Sequence, residues 1–155
     1  MPNVTIPANY MQDGRVLRLT LRGRWSASGA NTHTWAVRWG GVSGTVLCTT
    51  PASVYAAHTN AQFKFEADIQ TRTNGSTGTV FAQGSVLTGT ATLPTMGTVT
   101  QYGMIAMMGS AGIATPAAVT VDLTADTALS VTLDPGTSSA TDGATGHIYL
   151  IESLN

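Results

Sequence analysis

Residues 63–87, FKFEADIQTRTNGSTGTVFAQGSVL, decide how the rest of the chain is interpreted. Two runs of alternating apolar and polar residues flank a polar, Gly-containing segment at 74–78. In the first run the apolar residues fall at 63, 65, 67 and 69, whereas the charged or polar residues fall at 64, 66, 68, 70 and 72. Successive side chains of a β-strand point to opposite faces of the sheet. The stretch therefore predicts a long β-hairpin with one face in a core and the other in water.

The same alternation recurs along the chain. It predicts further strands at 15–25, 34–39, 45–49, 119–123, 129–133 and 147–154. Gly40 and Gly41 predict a hairpin between 34–39 and 45–49, and residues 125–126 predict another between 119–123 and 129–133. Residues 50–60 predict a crossover loop with one helical turn. Both faces of 147–154, HIYLIESL, are apolar, which predicts a strand in the centre of a sheet or at an interface.

The composition favours an all-β chain with one domain. The chain has 155 residues, enough for a single core, and only 10% of them are charged. Strong helix formers such as Lys and Glu are scarce, and turn signals recur at roughly 8–12 residues, as in sandwiches. We therefore predict a single-domain antiparallel β-sandwich of about eight strands over residues 15–155. Residues 1–14, which include Pro2 and Pro7, are predicted to form an N-terminal arm or an edge strand.

Charge and hydropathy exclude several classes of partner. The formal net charge of -1 provides no basic field, so no nucleic-acid partner is expected. No apolar run approaches the roughly 18 residues of a membrane span, so no membrane partner is expected. The N-terminus has neither the basic nor the apolar region of a signal peptide, which predicts a protein made in the cytoplasm. A surface with so few charges suits an assembly subunit or an extracellular particle, and a robust secreted domain would have a similar surface.

No residue pattern predicts an active site. Glu66 and Asp68 share one strand face, as a glycosidase pair would, but Lys64 and Arg72 offer ordinary ion partners and we favour that interpretation. The histidines lack metal-binding spacing, the 134–142 loop lacks the EF-hand pattern, and no GxSxG motif is present. Cys48, in VLCTT, is expected to be a small buried hydrophobe. We predict a non-enzymatic protein with no cofactor and no catalytic, cofactor-binding or metal-binding residue.

Three groups of side chains are candidates for contacts with other molecules. Seven residues are candidate contacts with a second protein chain: Arg15, Arg18, Arg22, Arg24, Met104, Met107 and Met108. The arginines suit bidentate bonds to carboxylates of another chain, although a solvated strand face explains them equally well. The methionines belong to the apolar segment YGMIAMMG and are predicted to lie either in the core or in a subunit interface. Trp25 precedes a polar loop and is the candidate for a sugar or protein contact, whereas Trp35 and Trp39 alternate with Val37 and are predicted in the core.

Three segments make the chain similar to small virion structural proteins of tailed bacteriophages. The segments are LRLTLRGRW (17–25), WAVRWGG (35–41) and FKFEADIQTRTNGSTGTVFAQG (63–84). The shared features are an amphipathic strand ending in Gly, a strand closing on a Gly-Gly turn, and a long hairpin with a GSTGTV turn; they cover about residues 15–90. The resemblance implies a jelly-roll-like sandwich, usually trimeric, on the head surface as a cement or decoration protein, or in a tail or fibre. It implies no catalytic residue.

Composition and resemblance together lead to one hypothesis and one alternative. The hypothesis is a non-enzymatic bacteriophage virion structural protein, a homotrimeric capsid decoration or cement protein that stabilises the head. Its expected partners are other copies of the chain and the major capsid protein or another virion protein, and its expected location is the virion. The alternative is a carbohydrate- or receptor-binding module of a tail fibre or head fibre, with Trp25 as the glycan contact.

Overall fold

The computed structural model describes residues 3–89, 103–108, 116–137 and 139–155, and for 103–108 the backbone alone. These residues form eleven β-strands and no helix. The strands are β1 (Asn3–Ile6), β2 (Val16–Ala27), β3 (Thr32–Trp39), β4 (Thr45–Thr49), β5 (Ser53–Val54), β6 (His58–Thr73), β7 (Gly78–Thr88), β8 (Gly103–Met108), β9 (Val119–Val121), β10 (Thr127–Asp134) and β11 (Gly143–Ser153). Because β5 and β9 have only two and three residues, the number of longer strands is close to the prediction.

Two antiparallel sheets contain all of these strands. Sheet A has the order β1-β10-β3-β4, with β5 also paired to β3. Sheet B has the order β11-β2-β6-β7-β8, with β9 also paired to β7. The sheets pack face to face, which confirms the predicted all-β sandwich. The first long strands lie beside the last ones, since β2 pairs with β11 in sheet B and β3 pairs with β10 in sheet A.

The core lies between the sheets and is filled by the inward positions of the alternating strands. Leu19 and Phe65 of sheet B and Trp35 and Val37 of sheet A have no exposed surface. Trp39 is also buried, so the core prediction for Trp35 and Trp39 is confirmed. Burial of each large apolar side chain contributes about 1.5–3 kcal/mol to folding. The polar residues between them remain on the outside of the sandwich, where they are available for contacts.

Strands β6 and β7 form the hairpin predicted at 63–87, which begins earlier than predicted, at His58. Phe65 is the register partner of Val86, and all three of Phe65, Val86 and Ile69 are fully buried. At the tip, Gly75 has a φ of 113°, a conformation that favours glycine. The alternation and the turn residues were therefore sufficient to predict this element.

The third predicted hairpin, between 119–123 and 129–133, is wrong. Strand β9 pairs with β7 in sheet B, whereas β10 lies between β1 and β3 in sheet A. The N–H group of Leu123 donates to the carbonyl oxygen of Gly75 at 3.1 Å, which holds the end of this segment near the hairpin tip. Alternation identifies which face of a strand is buried, but it does not identify the partner strand. The connection after β9 consequently crosses between the sheets.

The segment 50–60 contains the predicted crossover but no helical turn. It connects β4 in sheet A to β6 in sheet B, so the crossover is confirmed. The short strand β5 pairs with Thr32 and His33 where the helical turn was predicted, so that detail is wrong. The small apolar residues of this segment are compatible with either conformation, and pairing with β3 satisfies its backbone groups.

Both ends of the described chain lie at sheet edges. Strand β1 pairs only with β10 and is an edge strand of sheet A, and β11 pairs only with β2 and is an edge strand of sheet B. The prediction that 147–154 lies in the centre of a sheet is therefore wrong. One face of β11 still packs on the core through Tyr149 and Ile151. The opposite face is exposed, with Ile148 at 55% and Leu150 at 47% of their full accessible surface.

Candidate interaction surface

The outward residues of sheet B form three rungs that cross its strands. From β11 to β7 these rungs are Ile148, Arg22, Lys64 and Leu87; then Leu150, Thr20, Glu66 and Ser85; then Glu152, Arg18, Asp68 and Gln83. We refer to these positions as the outer face of sheet B. The face follows directly from the alternation of β2, β6, β7 and β11, because every neighbouring residue points into the core.

Ion pairs connect the middle of the outer face. Arg18 makes a bidentate contact with Asp68, with Nε to Oδ1 at 2.8 Å and Nη2 to Oδ2 at 2.9 Å. Glu66 lies between two cations, with Oε2 at 2.5 Å from Lys64 Nζ and Oε1 at 3.8 Å from Arg18 Nε. The hydrogen bond and the charge of Asp68 raise the pKa of Arg18 above its already high ordinary value. Asp68 is thus paired with Arg18 across strands and Glu66 with Lys64 along β6, which are the ordinary ion pairs that we favoured over a glycosidase pair. Arg72, the other predicted ion partner, has no ion pair among the described residues.

The four candidate arginines do not form one cluster. Arg15 precedes β2 and lies over the ring of Tyr10, with its Cζ atom 4.5 Å from the ring centroid. Arg18 is held by Asp68, and Arg24 Nε donates to His147 Nε2 at 3.1 Å. Within the described ranges, Arg22 alone of the four has neither a side-chain hydrogen bond nor an ion pair.

Apolar side chains flank the unpaired Arg22 on the outer face. Ile148 is its register partner on β11, and Leu87 lies opposite Lys64 on β7 with 47% of its surface exposed. A shallow depression of about 360 Å³ beside Arg22 is lined by Lys64, Leu87 and the edge of the Phe63 ring, among others. A free guanidinium beside exposed aliphatic groups is a combination suited to binding another protein.

The three candidate methionines belong to β8. This strand pairs with β7, where Met104 is opposite Leu87, Met107 is opposite Gly84 and Met108 is opposite Gln83. The choice between core and interface for their side chains lies outside the described residues. The backbone of residues 103–108 within YGMIAMMG forms a strand of sheet B.

Trp25 is not available to a sugar, so its prediction as the glycan contact is wrong. Only 1% of its surface is exposed. Its ring packs edge-on against Tyr55 and His58, with centroid distances of 4.7 and 4.2 Å. The reason is that β2 continues to Ala27 and Trp25 remains on the same inward face as Leu21. The polar loop begins only after the strand has ended.

A polar cluster that the sequence did not predict lies beside this aromatic group. Asp142 accepts hydrogen bonds from the N–H of Ser28 at 2.5 Å and from Asn31 Nδ2 at 2.6 Å. His33 Nε2 lies 3.7 Å from Asp142 Oδ1, and neither side chain is exposed. Burial opposes ionisation of the Asp142 carboxyl group, but the hydrogen bonds from Asn31 and Ser28 outweigh the effect of burial and lower the pKa of Asp142. The cluster joins the loop before β11 to the turn before β3, residues too far apart in the chain for any spacing motif.

No protein-family model, curated protein or solved structure matches this chain. A functional assignment therefore has to be argued from the surfaces of the molecule. No helix that could cross a membrane occurs among the residues that the structure describes.

The remaining reactive groups are enclosed or dispersed. Cys48 is fully buried, as predicted, and burial raises the pKa of its thiol to about 12, so it is not a nucleophile at neutral pH. The described part of the chain has no group of three or more His, Cys, Asp or Glu residues placed to hold a metal ion. The outer face of sheet B is thus the feature with the clearest potential for binding.

Proposed function

We propose that this chain is a non-enzymatic structural protein of a bacteriophage virion, a homotrimeric decoration or cement protein that binds the outside of the capsid and stabilises the head. The observation that supports this proposal is the outer face of sheet B. It combines exposed aliphatic side chains with an unpaired arginine on a broad sheet, an arrangement suited to a protein partner. The major capsid protein is the expected partner.

The distribution of the polar groups also supports a binding role. Glu66 and Asp68 are engaged with Arg18 and Lys64, and the buried Asp142 is engaged with Ser28 and Asn31. These hydrogen bonds and ion pairs stabilise the sandwich. A rigid sandwich loses little conformational entropy when it binds a capsid. Each bound neighbour would in turn stabilise the folded chain by mass action.

The alternative, a glycan-binding module of a fibre, is less well supported. Its candidate contact, Trp25, is enclosed by other rings. The aromatic residue with the largest exposure among the described residues is Tyr10, at 36%, and Arg15 already stacks on its ring. A sugar platform requires an open aromatic face, and Arg15 occupies one face of the Tyr10 ring.

The proposal is tested by adding purified protein to capsids from which the decoration protein has been removed. Co-sedimentation with the capsids and a higher temperature of capsid rupture are expected. The mass in solution is expected to be a multiple of three chains of 16.0 kDa. A monomer that neither binds nor stabilises capsids would overturn the proposal.

The contribution of the outer face is tested with two matched arginines. Arg22→Glu is expected to weaken capsid binding at least about tenfold, because a desolvated charge of the wrong sign is unfavourable at an interface. Arg72→Glu is the control, since Arg72 is also exposed on β6 and has no ion pair among the described residues. Equal binding by the two variants would exclude the region around Arg22 from the contact.

A further inference from the structure

Residues 148–153 of β11 form an open edge with few of the features that normally protect an edge strand. Sheet edges expose unpaired backbone groups, and proteins protect them with short strands, Pro, Lys or bulges. Strand β1, at the edge of sheet A, has four residues and is followed by Pro7. Strand β11 has eleven residues without Pro or Lys, and its one irregularity, between Gly146 and Ile148, leaves 148–153 regular. No described strand other than β2 pairs with it.

The hydrogen-bond pattern identifies which backbone groups are free. The N–H of Leu154 donates to the carbonyl of Val16 on the β2 side at 3.0 Å. Antiparallel strands direct alternate residues to each neighbour, so residues 148, 150 and 152 also point their backbone groups towards β2. The N–H and C=O groups of Tyr149, Ile151 and Ser153 consequently lie on the open edge.

The side chains of this edge are complementary to themselves under a two-fold rotation. Along the outer face, Ile148, Leu150 and Glu152 follow each other, and Arg22 is the neighbour of Ile148 on β2. If two copies of β11 pair antiparallel with Leu150 opposite Leu150, then Glu152 of one copy faces Ile148 of the other. Glu152 then lies two strands, about 10 Å, from Arg22 of that copy, within reach of two long side chains. Among the described residues, neither Arg22 nor Glu152 has an ion pair within 4 Å.

We infer that the β11 edge is a contact surface for a second copy of this chain. The two β11 strands pair antiparallel about Leu150 and join two copies of sheet B into one continuous sheet. Tyr149 of each copy exchanges backbone hydrogen bonds with Ile151 of the other, Leu150 and Ile148 form an apolar strip across the axis, and Arg22 meets Glu152. The contact closes on two copies, so it is separate from the three-fold association proposed above and does not depend on capsid binding.

Cysteine cross-linking tests the contact at its axis. In a non-hydrogen-bonded antiparallel pair the Cα atoms are about 4.5 Å apart, within the range of a disulfide. Leu150→Cys is therefore expected to give a disulfide-linked dimer on mild oxidation, with a yield at least about fivefold above that of Ser76→Cys. Ser76 is an exposed residue at the hairpin tip, and Cys48 is buried in both variants.

A charge exchange distinguishes this contact from random collision. In the Leu150→Cys background, Arg22→Glu is expected to lower the rate of cross-linking about three- to tenfold, and the added Glu152→Arg substitution is expected to restore it. Thermal unfolding of each variant confirms that the fold is retained. Equal yields for Leu150→Cys and Ser76→Cys, or no restoration by the second charge, would overturn the proposal. A Leu150→Cys cross-link to a different virion protein, with none between copies, would overturn it as well.

Discussion

Trp25 illustrates what a local pattern can predict about a single residue and where it fails. The alternation that places Leu17, Leu19 and Leu21 in the core continues through Trp25 to Ala27. The polar residues that follow suggested a strand end at Trp25, but β2 continues to Ala27 and keeps Trp25 on its inward face. The reason is non-local, because Tyr55 and His58 come from a separate segment to cover the ring.

The buried position of Trp25 leads to a prediction on stability. Trp25→Ala is expected to lower the free energy of unfolding by about 3–5 kcal/mol, because it leaves a cavity among Trp35, Tyr55 and His58. Val42→Ala, at a site with 63% exposure, is the control and is expected to change it by less than about 0.5 kcal/mol. Urea unfolding measures both. A Trp25→Ala variant as stable as the control would place the ring outside the core.

The carboxylate of Asp142 gives a second prediction, on the dependence of stability on pH. The pKa of Asp142 is lowered in the folded chain. Its contribution to the free energy of unfolding is therefore fully present above the unfolded pKa, about 3.9, and is lost as pH falls through the folded pKa. Asp142→Asn is therefore expected to be less stable than the unmodified chain at pH 7, and the difference is expected to shrink as pH falls below about 3.9. Urea unfolding at several pH values tests this, with Asp13→Asn, at an exposed turn, as the control. A difference independent of pH would assign the effect to packing.

Among the elements, the hairpin of β6 and β7 was predictable and the pairing of β9 was not. The hairpin combines alternation with turn residues that are adjacent in the chain, so local information specifies the partner strand. For 119–123 and 129–133 the alternation was correct, since Val121, Leu129 and Val131 are buried. Their partner strands, β7 and β3, are distant in sequence, and no local signal identifies them.

One glycine of the hairpin is required by the close approach of two strands. A Cβ atom on Gly84 would overlap the carbonyl oxygen of Glu66 and lie 2.8 Å from Cβ of Ala67. Gly84→Ala is therefore expected to destabilise the chain by about 1–3 kcal/mol, measured by urea unfolding. Gly143→Ala in β11 is the control, because nothing lies within 4 Å of its Cβ position, and it is expected to be neutral or slightly stabilising. Equal effects of the two substitutions would contradict the close approach at Gly84.

For the whole molecule, the order of the strands decides which surfaces are open. The apolar residues on both faces of β11 predicted a strand in the centre of a sheet or at an interface, and the sandwich leaves it at the edge of sheet B, so only the central placement is wrong. The same order brings Asp142 next to Ser28 and His33 from opposite ends of the chain. The fold class and the inward faces of the strands could be predicted from the sequence. The edge strands of the sheets and the polar cluster around Asp142 could not, because they depend on contacts between segments that are distant in the chain.

The two sheets are also connected by a hydrogen bond through the core. Tyr149 of β11 donates its hydroxyl to the carbonyl oxygen of Leu129 of β10 at 3.1 Å, and burial raises the pKa of this hydroxyl, which keeps it protonated and able to donate. Tyr149→Phe is expected to lower the free energy of unfolding by about 0.5–1.5 kcal/mol, and Tyr10→Phe, at an exposed ring, is expected to leave it unchanged. Because both sheets share one core, urea curves followed by far-ultraviolet circular dichroism and by tryptophan fluorescence are expected to coincide in each variant. Separate transitions for the two probes in Tyr149→Phe alone would mean that the Tyr149–Leu129 hydrogen bond couples the two sheets. An unchanged midpoint of urea unfolding in Tyr149→Phe would mean that this hydrogen bond does not stabilise the folded chain.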